Sequence, residues 1–223
     1  PGPGGQKGAI RILSLTGIMR AESGLSTRGT DQLIESLRAS YSDSNVSSVI
    51  IEGNSPGGES IAGTMLKSAI SERNKPVIGF GHMVASAAYR AFSGTDEIIA
   101  SNNAAEFGSI GTMFTMDMKS LNEYRASFAE FYGSTAPKKN AEHRSAVAGN
   151  FAEMQSRVDQ LTKNFQAEIA KDRSLTGGRD NVAETLNGSM WTASDAKARG
   201  LVDSIGNLNY AIKRASALSR IFK

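Results

Sequence analysis

"VSSVIIEGNSPGGESIAGTMLKSAI", residues Val46 to Ile70, decides the fold. Val46 to Gly53 is a β-branched apolar run, which predicts a strand. The turn "NSPGG", Asn54 to Gly58, follows, and Glu59 to Ile70 carries its apolar residues at helical spacing. Pro56 fixes its own φ, while Gly57 and Gly58 permit backbone angles that other residues resist. A strand that passes through so tight a turn into a helix is half of a βαβ unit.

The same alternation runs outward on both sides. Ala9 to Leu15 and Lys75 to Phe80 predict strands, as does Asp96 to Ser101. Gly29 to Ser40 predicts a helix with Leu33, Ile34 and Leu37 on one face and Thr30 or Asp31 as N-cap. Ser86 to Phe92 predicts a further short helix. Right-handed crossovers then give an α/β fold with a largely parallel sheet. The second half turns helical: Val147, Phe151, Met154, Val158, Leu161, Phe165 and Ile169 step by three or four across residues 140–172. That pattern predicts a long amphipathic helix, breakable near Gly149, whose stripe packs on the sheet or on another subunit. "TGGRDNVAETLNG" reads as loop and short helix. The tail reads as a short strand, a helix stopped at Gly200, the strand "LVDSIG" and a closing helix.

Composition narrows the function. At 223 residues the chain suits one substantial domain, 9–223, behind a Gly/Pro leader at 1–8 that reads as disordered or as an added tag. A formal charge of +3, from 25 Lys+Arg against 22 Asp+Glu scattered along the chain, argues against nucleic acid as a partner. No apolar run approaches the roughly 20 residues that cross a bilayer. With no cysteine and two distant histidines, His82 and His143, neither a thiolate nor a His-rich metal site is expected, and no cofactor is called for.

Two features carry chemistry. Both the "NSPGG" turn and Ser86, in "GHMVASAAYR", are placed at C-terminal ends of neighbouring parallel strands, where open α/β sheets bind ligands. A substrate approaching Gly57 and Gly58 meets bare backbone N–H groups, which suit a developing negative charge. Glycine needed only for the turn's sterics is the plainer alternative. Ser86 by itself reads as a helix N-cap. Beside the glycine turn it becomes the leading nucleophile candidate, with the Ala87 N–H joining that of Gly58 as oxyanion donor. A serine needs a base. His82 reads as a loop residue with no acid to orient it, and His143 as part of a solvated face. Lys138 and Lys139, just before the long helix, remain as bases if one enters a pocket.

These residues resemble peptidase family S49, whose members share the ClpP/crotonase fold. "NSPGG", "GHMVASAAYRAFSGTDEIIAS", "EFGSIGTM" and "MWTASDAKARGLVDSIG" match its motifs in order, from about Ile10 to the last helix. The resemblance implies a serine endopeptidase with a Ser/Lys dyad: Ser86 the nucleophile, Lys139 the base, Lys138 the fallback. Ser109 would hydrogen-bond the lysine amine, and Gly58 and Ala87 would form the oxyanion hole. The position matching ClpP's histidine base falls near Gly111, where no histidine stands. Ala87 and Ala88 replace the glycines that often follow the family's serine, which narrows the pocket. The resemblance further implies a homo-oligomeric ring in which a neighbouring subunit can supply the lysine. Its substrates would be unfolded, signal-peptide-like or capsid and scaffold polypeptides. A cytoplasmic protein, phage-encoded or bacterial, or a domain trimmed from a membrane-anchored parent, is expected. A catalytically silent ring of the same fold is the alternative. A crotonase-type acyl-CoA enzyme would need a carboxylate base and an adenine-binding face that the sequence does not display.

Overall fold

A computed structural model describes residues 8–24, 29–175 and 182–222. The leader at 1–8, apart from Gly8, and residues 176–181 of the stretch that reads as loop and short helix lie outside the described residues. Backbone contacts divide the chain into two compact units, Pro1–Ile110 with Gln166–Lys223, and Gly111–Phe165.

The first unit holds the sheet. Strands β1 (Ala9–Thr16), β2 (Val46–Ser55), β3 (Val77–Ala85), β4 (Glu97–Ala100) and β7 (Ser204–Ile205) lie side by side in that order, all parallel. A short β5 (Glu106–Gly108) pairs parallel with the end of β3 and antiparallel with β6 (Met190–Thr192). Ile50, Ile78, Phe80 and Ile99 share one sheet face and pack against Ala211 and Ala215 of the closing helix α9 (Leu208–Leu218). Each buried Ile or Phe contributes about 1.5–3 kcal/mol. Side-chain alternation turns Val49 and Ile51 to the opposite face, where α1 (Thr30–Ser42) packs. Helix α2 (Ser60–Ser71) lies against α1 and the short α3 (Ala87–Phe92).

Strand β3 runs further than its sequence predicts, and His82 lies within it rather than in a loop. The β2–β3 register pairs Gly53 with Gly81 and then Asn54 with Met83, so His82 is an extra residue, a bulge. There β3 changes its second neighbour: Ile78 to Gly81 pair with β4, and Met83 to Ala85 pair with β5. The bulge thereby carries the last residues of β3 away from β4.

One local expectation is corrected, and one is met. The N-cap of α1 is Gly29, with no side-chain cap. The Asp31 carboxylate instead accepts from the Ser23 hydroxyl (2.7 Å), the Ser23 amide (3.1 Å) and the Gln32 amide. The long helical stretch over 140–172 does break near Gly149, as expected: it forms α5 (Ala141–Val147) and α6 (Ala152–Asp172), with Gly149 at φ +83° between them.

The second unit contains α4 (Met118–Ser127), α5 and the first part of α6. Helix α4 had no clear sequence signal: it buries only Leu121 and starts on Asp117, which accepts the Lys119 and Ser120 amides. Tyr124 and Tyr132 donate to Glu130 at 2.6 and 2.5 Å, and these hydroxyls hold the Glu130 carboxyl below the usual range. His143, expected on a solvated face, sets its ring edge-on to Tyr124 at 5.4 Å. After α6 the chain forms α7 (Val182–Thr185), β6 and α8 (Ala193–Ala198) before β7.

Candidate active site

Ser86 joins the end of β3 to the start of α3. Its backbone is held at φ +52°, ψ −121°, a region that side chains rarely adopt. The surroundings impose it: the Ser86 N–H donates to Gly108 O at 2.9 Å, and its carbonyl accepts the Arg90 N–H at 3.0 Å. Ser86 occupies the N-cap position, yet its side chain makes no capping hydrogen bond. The N-cap role that accounts for a lone serine therefore does not account for this one. A half-buried serine on a strained strand-to-helix turn, its hydroxyl uncommitted among the described residues, has the geometry of a nucleophile elbow.

The glycine turn lies directly against it, because Ser55, the last residue of β2, pairs with Val84 of β3. A Cβ on Gly57 would stand 2.7 Å from Ser86 Cβ and 2.9 Å from the Ala87 nitrogen. Gly57 and Gly58 take φ +90° and +151°. Gly63, in α2, seats α3 from below: a Cβ there would fall 2.4 Å from Ala87 O.

The amides of the turn are not equivalent. The Gly57 N–H donates to the buried Ser55 hydroxyl at 3.1 Å, and the Glu59 N–H donates to Met19 O at 3.0 Å. Met19 in turn donates to Gly57 O at 2.7 Å. Gly57 O and Glu59 N thus face Met19, which leaves the Gly58 amide facing away from it. Among the described residues neither the Gly58 nor the Ala87 N–H donates to a backbone or side-chain acceptor. Ala87 is the first residue of its helix, where an unpaired amide is intrinsic.

Ser109 also sits here, one residue past the carbonyl that accepts the Ser86 amide. It is half-buried, holds φ +53° and donates its N–H to Ser189 O at 2.9 Å. The first unit therefore gathers Ser86, Gly57, Gly58, Ala87 and Ser109.

Lys138 and Lys139 belong to the second unit, in the turn before α5. The Lys139 N–H donates to Ala136 O at 3.1 Å, and Lys138 Nζ lies 4.0 Å from Glu153 Oε1. Both side chains are exposed, so the pocket expected for one of them is not formed by its own unit. His82 is corrected as well: an acid does orient it, Glu52 Oε1 at 3.0 Å from Nε2. The pair sits at the bulge, four residues before Ser86. Sequence reading passed over Ser55, Met19 and Glu59, the residues that hold the turn. Only the position of Ser55 inside "NSPGG" hinted at one of them.

Fold and turn together define a class, the α/β proteins of ClpP-like architecture. A ClpP1 chain from Listeria monocytogenes superposes with a TM-score of 0.59 at 16% identity, covering 89% of this chain and 93% of that one. A lysine-to-alanine mutant of the 1510-N membrane-bound stomatin-specific protease, in complex with a substrate peptide, superposes with a TM-score of 0.62 at 17% identity. It covers 93% of this chain and 80% of that one. Residues 69–221 match the description Peptidase family S49. Protease 4 of Haemophilus influenzae is 32% identical over 216 residues, 94% of this chain and 34% of that protein. The chloroplastic serine protease SPPA of Arabidopsis thaliana is 29% identical over 235 residues, 97% of this chain and 33% of that protein. The chain belongs to peptidase family S49. It spans about a third of the length of these relatives. Among the described residues no helix is long and apolar enough to cross a membrane.

Proposed function

We propose that the chain is the catalytic portion of a serine endopeptidase that cuts extended polypeptides through an acyl-enzyme, with Ser86 as nucleophile. The observation that carries this reading is the Ser86 elbow: a strained serine, free of its capping duty, packed against a glycine whose neighbour offers an unpaired amide. Ser86 Oγ attacks the substrate carbonyl carbon while a lysine amine takes the hydroxyl proton. The resulting oxyanion lies between the Gly58 and Ala87 N–H groups, and collapse of the intermediate expels the amine, which takes the proton from the lysine. Water then hydrolyses the ester by the same route.

Lys139 is the proposed base, with Lys138 its substitute, and Ser109 orients the amine. A lysine serves as base only when neutral, and removing it from water favours that form. Neither lysine is buried by its own unit, and a homo-oligomeric ring in which a neighbouring subunit supplies the amine is part of this proposal. Serine and lysine are also the residues replaced in mutants of the stomatin-specific protease. Signal-peptide-like, unfolded and capsid or scaffold polypeptides are the proposed substrates. Labelling by a fluorophosphonate tests the reading, with wild type set beside Ser86→Ala, Lys139→Ala and Lys138→Ala. Loss of labelling in Ser86→Ala and in one lysine variant is expected, and retention in Ser86→Ala overturns it.

A further inference from the structure

We infer that Glu59 and Ser55 are positioning residues that select which amide of the glycine turn receives the oxyanion, by strapping residues 17–21 along it. This inference rests on the proposed roles of Ser86 and Gly58.

The β1–β2 ladder does not stop at its last paired residues, Thr16 and Asn54. It continues as a strap beside the turn. The Gly17 N–H donates to Asn54 O at 3.0 Å, and the Ser55 hydroxyl donates to Gly17 O at 2.6 Å. Met19 donates to Gly57 O and accepts from Glu59 N, and the Ala21 N–H donates to Glu59 Oε2 at 2.7 Å. Between Met19 and Ala21, Arg20 O accepts the Thr30 N–H at 2.8 Å, which anchors the strap to the start of α1.

Two side chains close this strap. Ser55 is fully buried and works in both directions, donating to Gly17 O while accepting the Gly57 amide. It thereby removes the Gly57 N–H from competition for a substrate oxygen. Glu59 clasps the other end through Ala21, holding Met19 in register with Gly58. A peptide plane flanked by glycines has little intrinsic reason to stay in one orientation, since glycine crosses φ of either sign readily. Rotation of the Gly58 amide away from the serine would forfeit an oxyanion donor, which costs 10²–10³ in rate when such a donor is deleted outright, or about 3–4 kcal/mol. The strap supplies the restraint that the glycines lack. It acts through the turn and touches no substrate.

Glu59 is exposed, so its variants leave the core intact. Fluorophosphonate labelling of the full chain, resolved into the maximal inactivation rate and the reagent's apparent affinity, reads the effect. Glu59→Ala is expected to slow the maximal rate about tenfold, a fraction of the deletion effect, with apparent affinity unchanged. Glu59→Gln, whose amide oxygen still accepts the Ala21 N–H, is expected to label as wild type. Ser55→Ala should slow labelling in the same manner. The inference is overturned if Glu59→Ala labels at the wild-type rate, if Glu59→Gln is as slow as Glu59→Ala, or if only apparent affinity changes. Labelling of Ser86→Ala separates the two failures. If that variant still reacts, the nucleophile assignment fails whatever Glu59 does. If it is silent while Glu59→Ala reacts normally, the strap alone fails.

Discussion

Gly57 and Ser86 touch so closely that no side chain fits between them: a Cβ on Gly57 would stand 2.7 Å from Ser86 Cβ and 2.7 Å from Ala85 O. Two strand ends, about thirty residues apart in sequence, meet here because β2 and β3 are parallel neighbours in register at Ser55 and Val84. Gly57→Ala must push the turn away from the serine and adopt φ +90°. It is expected to cost about 1–3 kcal/mol in stability and to abolish labelling of Ser86. Thermal melts and fluorophosphonate labelling of the same preparation check both.

Strain at Ser86 gives a prediction of opposite sign. Glycine accepts φ +52° without a Cβ clash, so Ser86→Gly relieves strain while removing the nucleophile. Set against glycine's greater freedom in the unfolded chain, a net gain of about 1 kcal/mol is expected. Denaturant unfolding should show a higher midpoint in a variant with no activity. A lower midpoint would mean that the elbow is not strained.

The proposed lysine base sets the pH response. Its amine accepts a proton only when neutral, so cleavage of an unfolded polypeptide should rise with pH from neutral into the alkaline range. A profile flat across that range would contradict a lysine base. Sedimentation velocity across the same pH values separates this effect from assembly.

Lys75 gives a prediction about stability alone. Its ammonium donates to Ser40 O, Asp43 O and Val46 O, each at 2.9 Å, closing the end of α1 onto the start of β2. Lys75→Met leaves three carbonyls without this donor and is expected to cost about 2–3 kcal/mol. Activity per folded molecule should not change, since the site lies at the other end of β2.

Asp31 makes the anchor of the strap sensitive to acid. The Ser23 hydroxyl, and then the Ser23 amide, hold its carboxyl below the ordinary carboxylate range. A lowered folded-state pKa means that the stabilisation is present above the unfolded value, about 4, and is lost as pH falls through the lowered one. The protection of the Ser23 amide, its exchange rate taken relative to the intrinsic rate at the same pH, should therefore fall in wild type as pH drops through the lowered value. In Asp31→Ala, which leaves no acceptor at this position, that protection should be low already at neutral pH.

Much of the sheet was legible because its signals are local. The β-branched run of β2, the glycine turn and the helical spacing of α2 each follow from neighbouring residues, and alternation of strand and helix then dictates parallel pairing. Helix α4 was not legible, since it buries only Leu121 and depends on the Asp117 cap. The end of β3 was missed for a related reason. Its last residues pair with β5, whose three residues carry no strand pattern of their own.

Apart from β5 and α4, the sequence by itself determined the order of the elements, and with it the family motifs and a short set of candidate residues, because these depend on residue type and spacing. Only the tertiary structure decided that Ser86 leaves its capping role unused. It also decided that Gly57 lies against Ser86 and that the Gly58 amide faces away from Met19. Those facts depend on strand register and on peptide orientation. Both are set by hydrogen bonds between segments distant in sequence, and no local pattern encodes them.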